Sequence, residues 1–161
     1  MSTYKELSIR FGEHRRALSA QQGRLASQAQ RFRTALERRL ELPSNTWKNP
    51  QSGHEQSYVR LGKGDKSSFE PCSALELGTR DGVMQFSVSV TVESAPNEYP
   101  KIHHVFTMAV GAAPEGFVFA IDDIEGEFNI PAGDDADHVY EGACSAIVER
   151  LMALYDTALI H

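Results

Sequence analysis

Arg10, Arg24, Arg31 and Arg38 recur at multiples of seven residues. On a helix this spacing places them in one row, about 10.5 Å apart where the step is seven residues. Guanidinium forks bind phosphate bidentately, so the row is a candidate contact for a nucleic-acid backbone. Arg15, Arg16, Arg33 and Arg39 add charge nearby. Two features weigh against nucleic acid. The whole chain carries a net charge of −6, and no aromatic or Asn/Gln set is arranged to read bases. The same arginines serve equally to flank a helix-pairing seam or to meet acidic residues elsewhere in the chain. Protein contact is the primary reading and nucleic-acid contact the alternative.

The remaining chemistry-bearing residues predict no catalytic centre, metal site or cofactor. Asp122, Asp123, Glu125 and Glu127 are too dispersed by strand alternation and a turn to hold one cation. Asp134, Asp135 and Asp137 lack the Gly and bidentate Glu of a calcium loop. They read instead as a cap and favourable charge for a helix start. His103 and His104 are adjacent in a strand pattern and therefore point to opposite faces. His104 belongs at the core edge and His103 on the open face. The segment from Gly62 to Ser67 fails the phosphate-loop spacing and reads as a surface loop. Cys72, in an expected strand, and Cys144, in an expected helix, read as reduced core thiols. A small-molecule or enzymatic site between sheet and C-terminal helix remains a second alternative, on fold analogy alone.

Charge is split along the chain. Residues 1–42 hold nine Arg/Lys against four Glu, a net of +5, and residues 43–161 hold seven against eighteen acids, a net of −11. From Glu115 to Glu141 there are nine acids and no Lys or Arg. Halves so different either meet each other or have separate partners. No apolar run approaches the ~18 residues of a membrane span. The N-terminus has no apolar signal core, so a cytoplasmic protein is expected.

Thr3-x-x-Glu6 offers a capping box, and nothing stops the helix it opens before Pro43. Residues 1–42 are thus expected as one long basic helix. Its apolar residues repeat at seven: Tyr4, Phe11, Leu18, Leu25 and Phe32. The companion row of a heptad seam is mostly polar, reading Leu7, His14, Gln21, Gln28 and Ala35. Such a helix can lie on a domain with one half and project with the other, or pair with a copy of itself. The partner-binding set is accordingly Phe11, Leu18, Leu25 and Phe32 with Arg24, Arg31 and Arg38. Trp47, in the loop after the helix, joins them as a contact anchor, or else plugs the core.

Period two then replaces the helical period. Met84, Phe86, Val88, Val90 and Val92 alternate with polar residues, and further apolar rows follow at Ile102–Val110, Phe117–Ile121 and Ile124–Ile130. Weaker strands fit Gln56–Leu61 and Cys72–Leu77. Arg80-Asp81-Gly82 and Asp122-Asp123 are turns too short for crossover helices. A last apolar helix spans Tyr140 to Ala158, broad enough to be covered on two sides. The expected fold is α+β: a long N-terminal α-helix, a five- to six-stranded antiparallel meander with one apolar face, and a C-terminal α-helix packed on the sheet. Its polar face, with Ser87, Ser89 and Thr91, is expected to meet water. The helix (1–42) and the acidic domain (43–161) form one structural unit. Function is read as non-catalytic protein binding, adaptor or regulatory in kind. The N-terminal helix serves homodimerisation or a protein partner, and no membrane is involved.

Overall fold

Helix α1 runs from Thr3 to Leu40 in the computed structural model, which describes residues 2–96, 98–133 and 136–160 (for Leu159, the backbone alone). The N-cap is Ser2 rather than Thr3: its Oγ accepts from the Lys5 N–H at 3.2 Å. The helix stops at Leu40 because Glu41 turns left-handed, with φ 49°, and returns its N–H to the Arg38 carbonyl at 3.2 Å. Pro43 restricts the residue before it, so the chain breaks helical geometry ahead of the proline itself.

Strands β1 (Thr46–Lys48), in a stretch expected as loop, and β2 (Glu55–Ser57), at the start of the strand expected over Gln56–Leu61, form a small antiparallel hairpin. The main sheet holds seven strands: β3 (Val59–Lys63), β4 (Glu70–Pro71), β5 (Thr79–Arg80), β6 (Val83–Val92), β7 (Ile102–Ala113), β8 (Gly116–Ile121) and β9 (Glu127–Pro131). Strands β3, β6, β7, β8 and β9 are successive antiparallel neighbours, the five-strand meander the alternation predicts. Two-residue strands β4 and β5 attach to β3 and β6 and raise the count. Asp81 and Gly82, with φ 53° and 78°, make the two-residue turn between β5 and β6. Cys72–Leu77 is not a strand. Glu76 accepts from the Ser73 N–H at 3.1 Å and the segment closes as a 3-10 turn, Ala74–Glu76. Cys72 precedes it in a loop and donates its N–H to the Leu61 carbonyl. Strand β9 starts at Glu127, three residues late, because Asp123 and Gly126 take positive φ in the turn before it.

Helix α2 (Glu141–Leu154) follows a 3-10 turn from Asp137 to Tyr140. Asp137 lies in the first turn of that segment, while Asp134 and Asp135 fall outside the described residues. Helices α1 and α2 cover the apolar sheet face together. Met84, Phe86, Val88, Val90, Met108, Val110 and Phe119 face Leu25, Phe32 and Leu36 of α1 and Ala143, Ile147 and Leu151 of α2, all buried. Phe32 is the centre of this layer, its ring 5.5 Å from Phe119 and 6.4 Å from Tyr140. The polar member of the helix seam is explained here. Gln28 is buried, and its Oε1 accepts from the Tyr140 hydroxyl at 2.7 Å.

Two expectations about coverage are corrected in extent. Helix α2 meets both the sheet and α1, but its cover ends early: Met152, Leu154 and Tyr155 at its end are exposed. The polar sheet face is wet only in part: Ser87, Ser89 and Thr91 are buried, while Gln85 and His103 are exposed. Their small side chains let loop backbone approach, and Ser87 Oγ donates to the Gly64 carbonyl. Phe69 seals the same face over Gly62, where an added Cβ would sit 2.5 Å from the Phe69 ring.

Replacing Tyr140 by Phe strips Gln28 Oε1 of this buried donor and should cost about 1–3 kcal/mol in chemical denaturation. Adding Gln28→Leu should recover part of the loss. An unchanged midpoint for Tyr140→Phe alone would mean that the bond is not structural.

Candidate docking surface on the N-terminal helix

The apolar row of α1 divides at Leu25. From Leu25 onward every fourth or third residue of the stripe is buried: Ala26, Gln28, Ala29, Phe32, Ala35 and Leu36. Ahead of it the same stripe is open, with Leu7 at 62%, Phe11 at 61% and Leu18 at 49% exposure. Tyr4 is more exposed still. At a rise of about 1.5 Å per residue, the open segment from Thr3 to Gln21 is an arm roughly 28 Å long. The body begins where the arm ends. Gln22 Nε2 donates to the Leu77 carbonyl at 3.0 Å.

The single row read as partner-binding therefore does two jobs. Phe11 and Leu18 lie on the free arm, whereas Leu25 and Phe32 are core residues that fasten the helix to the sheet. The arginines divide as well. Arg38 binds Asp137 at 2.8 Å and Arg39 binds Glu141 at 3.1 Å, so the basic end of α1 meets the acidic segment before α2. Both Arg38 and Glu141 respond: the Asp137 carboxylate raises the Arg38 pKa, and hydrogen bonds from Ser145 and Arg39 lower that of Glu141. Arg33 ties α1 to the sheet edge, donating Nε–H to the Val59 carbonyl at 2.9 Å and pairing with Glu37 at 3.1 Å. Arg10 pairs with Glu6 on the arm. Arg24 and Arg31 are exposed and hold no ion pair among the described residues.

Trp47 is buried, at 8% exposure, in β1. Its ring stacks on His103 at 6.3 Å, and the Lys101 ammonium lies 5.1 Å above the same ring. Sequence reading missed the group around it. Lys101 and Glu93 form an ion pair with both side chains buried, and Tyr58 donates to the other Glu93 oxygen at 2.6 Å. Glu93 directly follows β6 and Lys101 directly precedes β7, so the connection between these strands is the signal that joins the pair. Burial pushes the Tyr58 pKa to about 12, aided by the Glu93 bond. Burial alone would raise Glu93; bonds from Lys101 and Tyr58 outweigh it, and the net shift is downward.

The histidines point apart as their adjacency requires. His103 Nδ1 bonds Thr91 Oγ1 at 2.8 Å on the polar face, while His104 Nε2 bonds the Tyr155 hydroxyl on the helix face. Burial lowers both pKa values, with Arg60 acting on His103 and Lys66 on His104 in the same direction. His104 opens onto a rim cavity of about 510 Å³ with Lys66, Asp122, Asp123 and Arg150. Among the described residues, no group of three or more His, Cys, Asp or Glu side chains is placed to hold a metal. Nor is any described helix long and apolar enough to cross a membrane. No protein-family model, curated protein or solved structure matches this chain.

The Tyr58 shift has a pH consequence. The folded state holds the phenol proton more tightly than the unfolded chain, whose tyrosine ionises near the ordinary value of 10.0. Its contribution to stability is full below pH 10.0 and disappears as pH rises to about 12. Ultraviolet titration should record one phenol ionising near pH 12 that Tyr58→Phe removes. Loss of a lower-pH step in that variant would contradict the assignment.

Proposed function

We propose that this is a non-catalytic binding protein, adaptor or regulatory in kind, which docks through the N-terminal arm of α1 and forms a homodimer there. The observation that carries this reading is the uninterrupted stripe. A face used for core packing from Leu25 onward continues uncovered through Leu18, Phe11 and Leu7. Lone exposed apolar residues are ordinary on a surface, but a helical row of them is not. Self-pairing is favoured because the row is its own complement: a helix with one apolar seam is best covered by another of the same period. Burying Leu7, Phe11 and Leu18 from two copies returns about 1.5–3 kcal/mol per side chain. Six such side chains can meet an association cost of about 4–15 kcal/mol.

Nucleic-acid contact through the Arg row has less support. Arg10, Arg33, Arg38 and Arg39 are engaged with acids of this chain, leaving Arg24 and Arg31 as the free members near the body.

Light scattering on the full chain should give twice the monomer mass. Leu7→Glu with Leu18→Glu should raise the dissociation constant by at least ~100-fold while leaving the thermal midpoint of the dissociated chain intact, since neither side chain touches the core. A wild-type chain that stays monomeric at high micromolar concentration would remove self-docking from this reading.

A further inference from the structure

The body decides which way a second copy can run along the arm. We infer that two chains pair antiparallel over residues 3–22, each helix ending with its N-terminus against the body of the other. This rests on the self-docking reading above and adds direction and register to it.

Parallel pairing is blocked by the fold itself. The seam of the arm and the buried seam lie on one face of one helix, and from Leu25 that face is filled by the sheet and Tyr140. A second helix running in the same direction would continue, beyond its residue 22, through the space that this sheet occupies. Its own sheet would meet the first helix in the same way. Parallel alignment also sets Arg10 of each copy beside Arg15 of the other at the flanks of the seam, a like-charge contact. In the antiparallel pair, the second helix leaves the body behind and runs toward the free end of the first. Its body then lies past the Thr3 end of the first arm, away from the sheet of the first chain.

The register follows from the same constraint. Antiparallel seams set a residue of the apolar row against one of the companion row. One alignment places Tyr4 against Gln21, Leu7 against Leu18 and Phe11 against His14, each twice by symmetry. Sliding one heptad further would require Leu25 and Gln28, which are buried. Sliding one heptad back would leave Leu18 uncovered. In the intermediate alignment Arg10 flanks Ala17 and Arg15 flanks Ser8, so no like charges meet. The overlap also ends where the body begins. A Cβ at Gly82 would lie 3.8 Å from Gln21 Nε2, and Gln22 is bonded to the Leu77 carbonyl. Next to Gly82, a groove of about 450 Å³ containing Thr79, Arg80 and the exposed Val83 is available to the Tyr4 end of the other helix.

Cysteine cross-linking in the full chain tests direction and register together. Leu7→Cys and Leu18→Cys chains are prepared separately, with the wild type, carrying Cys72 and Cys144, as the baseline. After mild oxidation, non-reducing electrophoresis should show covalent dimer in the mixture of the two variants, at least ~5-fold more than in either alone. A second pair, Tyr4→Cys with Gln21→Cys, should behave identically at the outer layer, which guards against loss of pairing caused by Leu18→Cys. Efficient self-cross-linking of Leu18→Cys alone would establish a parallel pair and overturn the inference. Absence of mixed cross-links in both pairs would overturn the register. Light scattering of the wild type under the same conditions separates the two readings. A monomer defeats self-docking itself, whereas a dimer with the wrong cross-links defeats only the antiparallel arrangement.

Discussion

Everything in this fold depends on a mismatch of length between α1 and the sheet that it covers. At about 1.5 Å per residue the 38-residue helix is about 57 Å long. The ten-residue strand β6 spans only about 34 Å even at full antiparallel rise. Phe32 settles which part of the helix stays on the sheet. Its ring is enclosed by Phe119 and Tyr140, and the two flanking turns carry Leu25, Ala29 and Leu36 into the same layer. Burial of side chains this size outweighs every other local term in the helix. The rest of α1 then has no sheet to lie on.

Electrostatics plays a smaller and more directional part. The contacts of Arg38 with Asp137 and of Arg39 with Glu141 are exposed, and water and salt screen such pairs until they contribute little. They do not hold the helix down. They align the last turns of α1 with the start of α2, where the apolar surfaces alone would tolerate sliding. Arg33 is better placed, because its guanidinium also satisfies a carbonyl on the outer side of β3. Together with the Cys72 N–H on Leu61 it closes an edge that would otherwise be open to strand addition.

The architecture was readable because period and punctuation agreed. The alternation from Met84 to Val92, the Asp81-Gly82 turn and Pro43 each named their element without reference to the others. What escaped sequence reasoning was coverage. Ser87, Ser89 and Thr91 look solvated on any hydropathy scale, yet the loop returning at Gly64 bonds Ser87 and His103 bonds Thr91. The segment Cys72–Leu77 has strand composition, yet the local reach of Glu76 to Ser73 closes a turn first. In the candidate site the apolar row was plain, but its division at Leu25 was not, since Leu18 and Leu25 are the same residue in the same phase. The polar companions held the clue. Gln28 is tolerated in the core because Tyr140, more than a hundred residues away, supplies its donor, and no local pattern encodes that.

The corner built on Trp47 has a spectroscopic consequence. It is the single tryptophan of the chain, and it lies against both the His103 ring and the Lys101 ammonium. A cation over the indole perturbs its emission energy, and a stacked imidazole is an efficient quencher once protonated. Tryptophan fluorescence therefore reports the packing of the β1–β2 hairpin against His103 and Lys101.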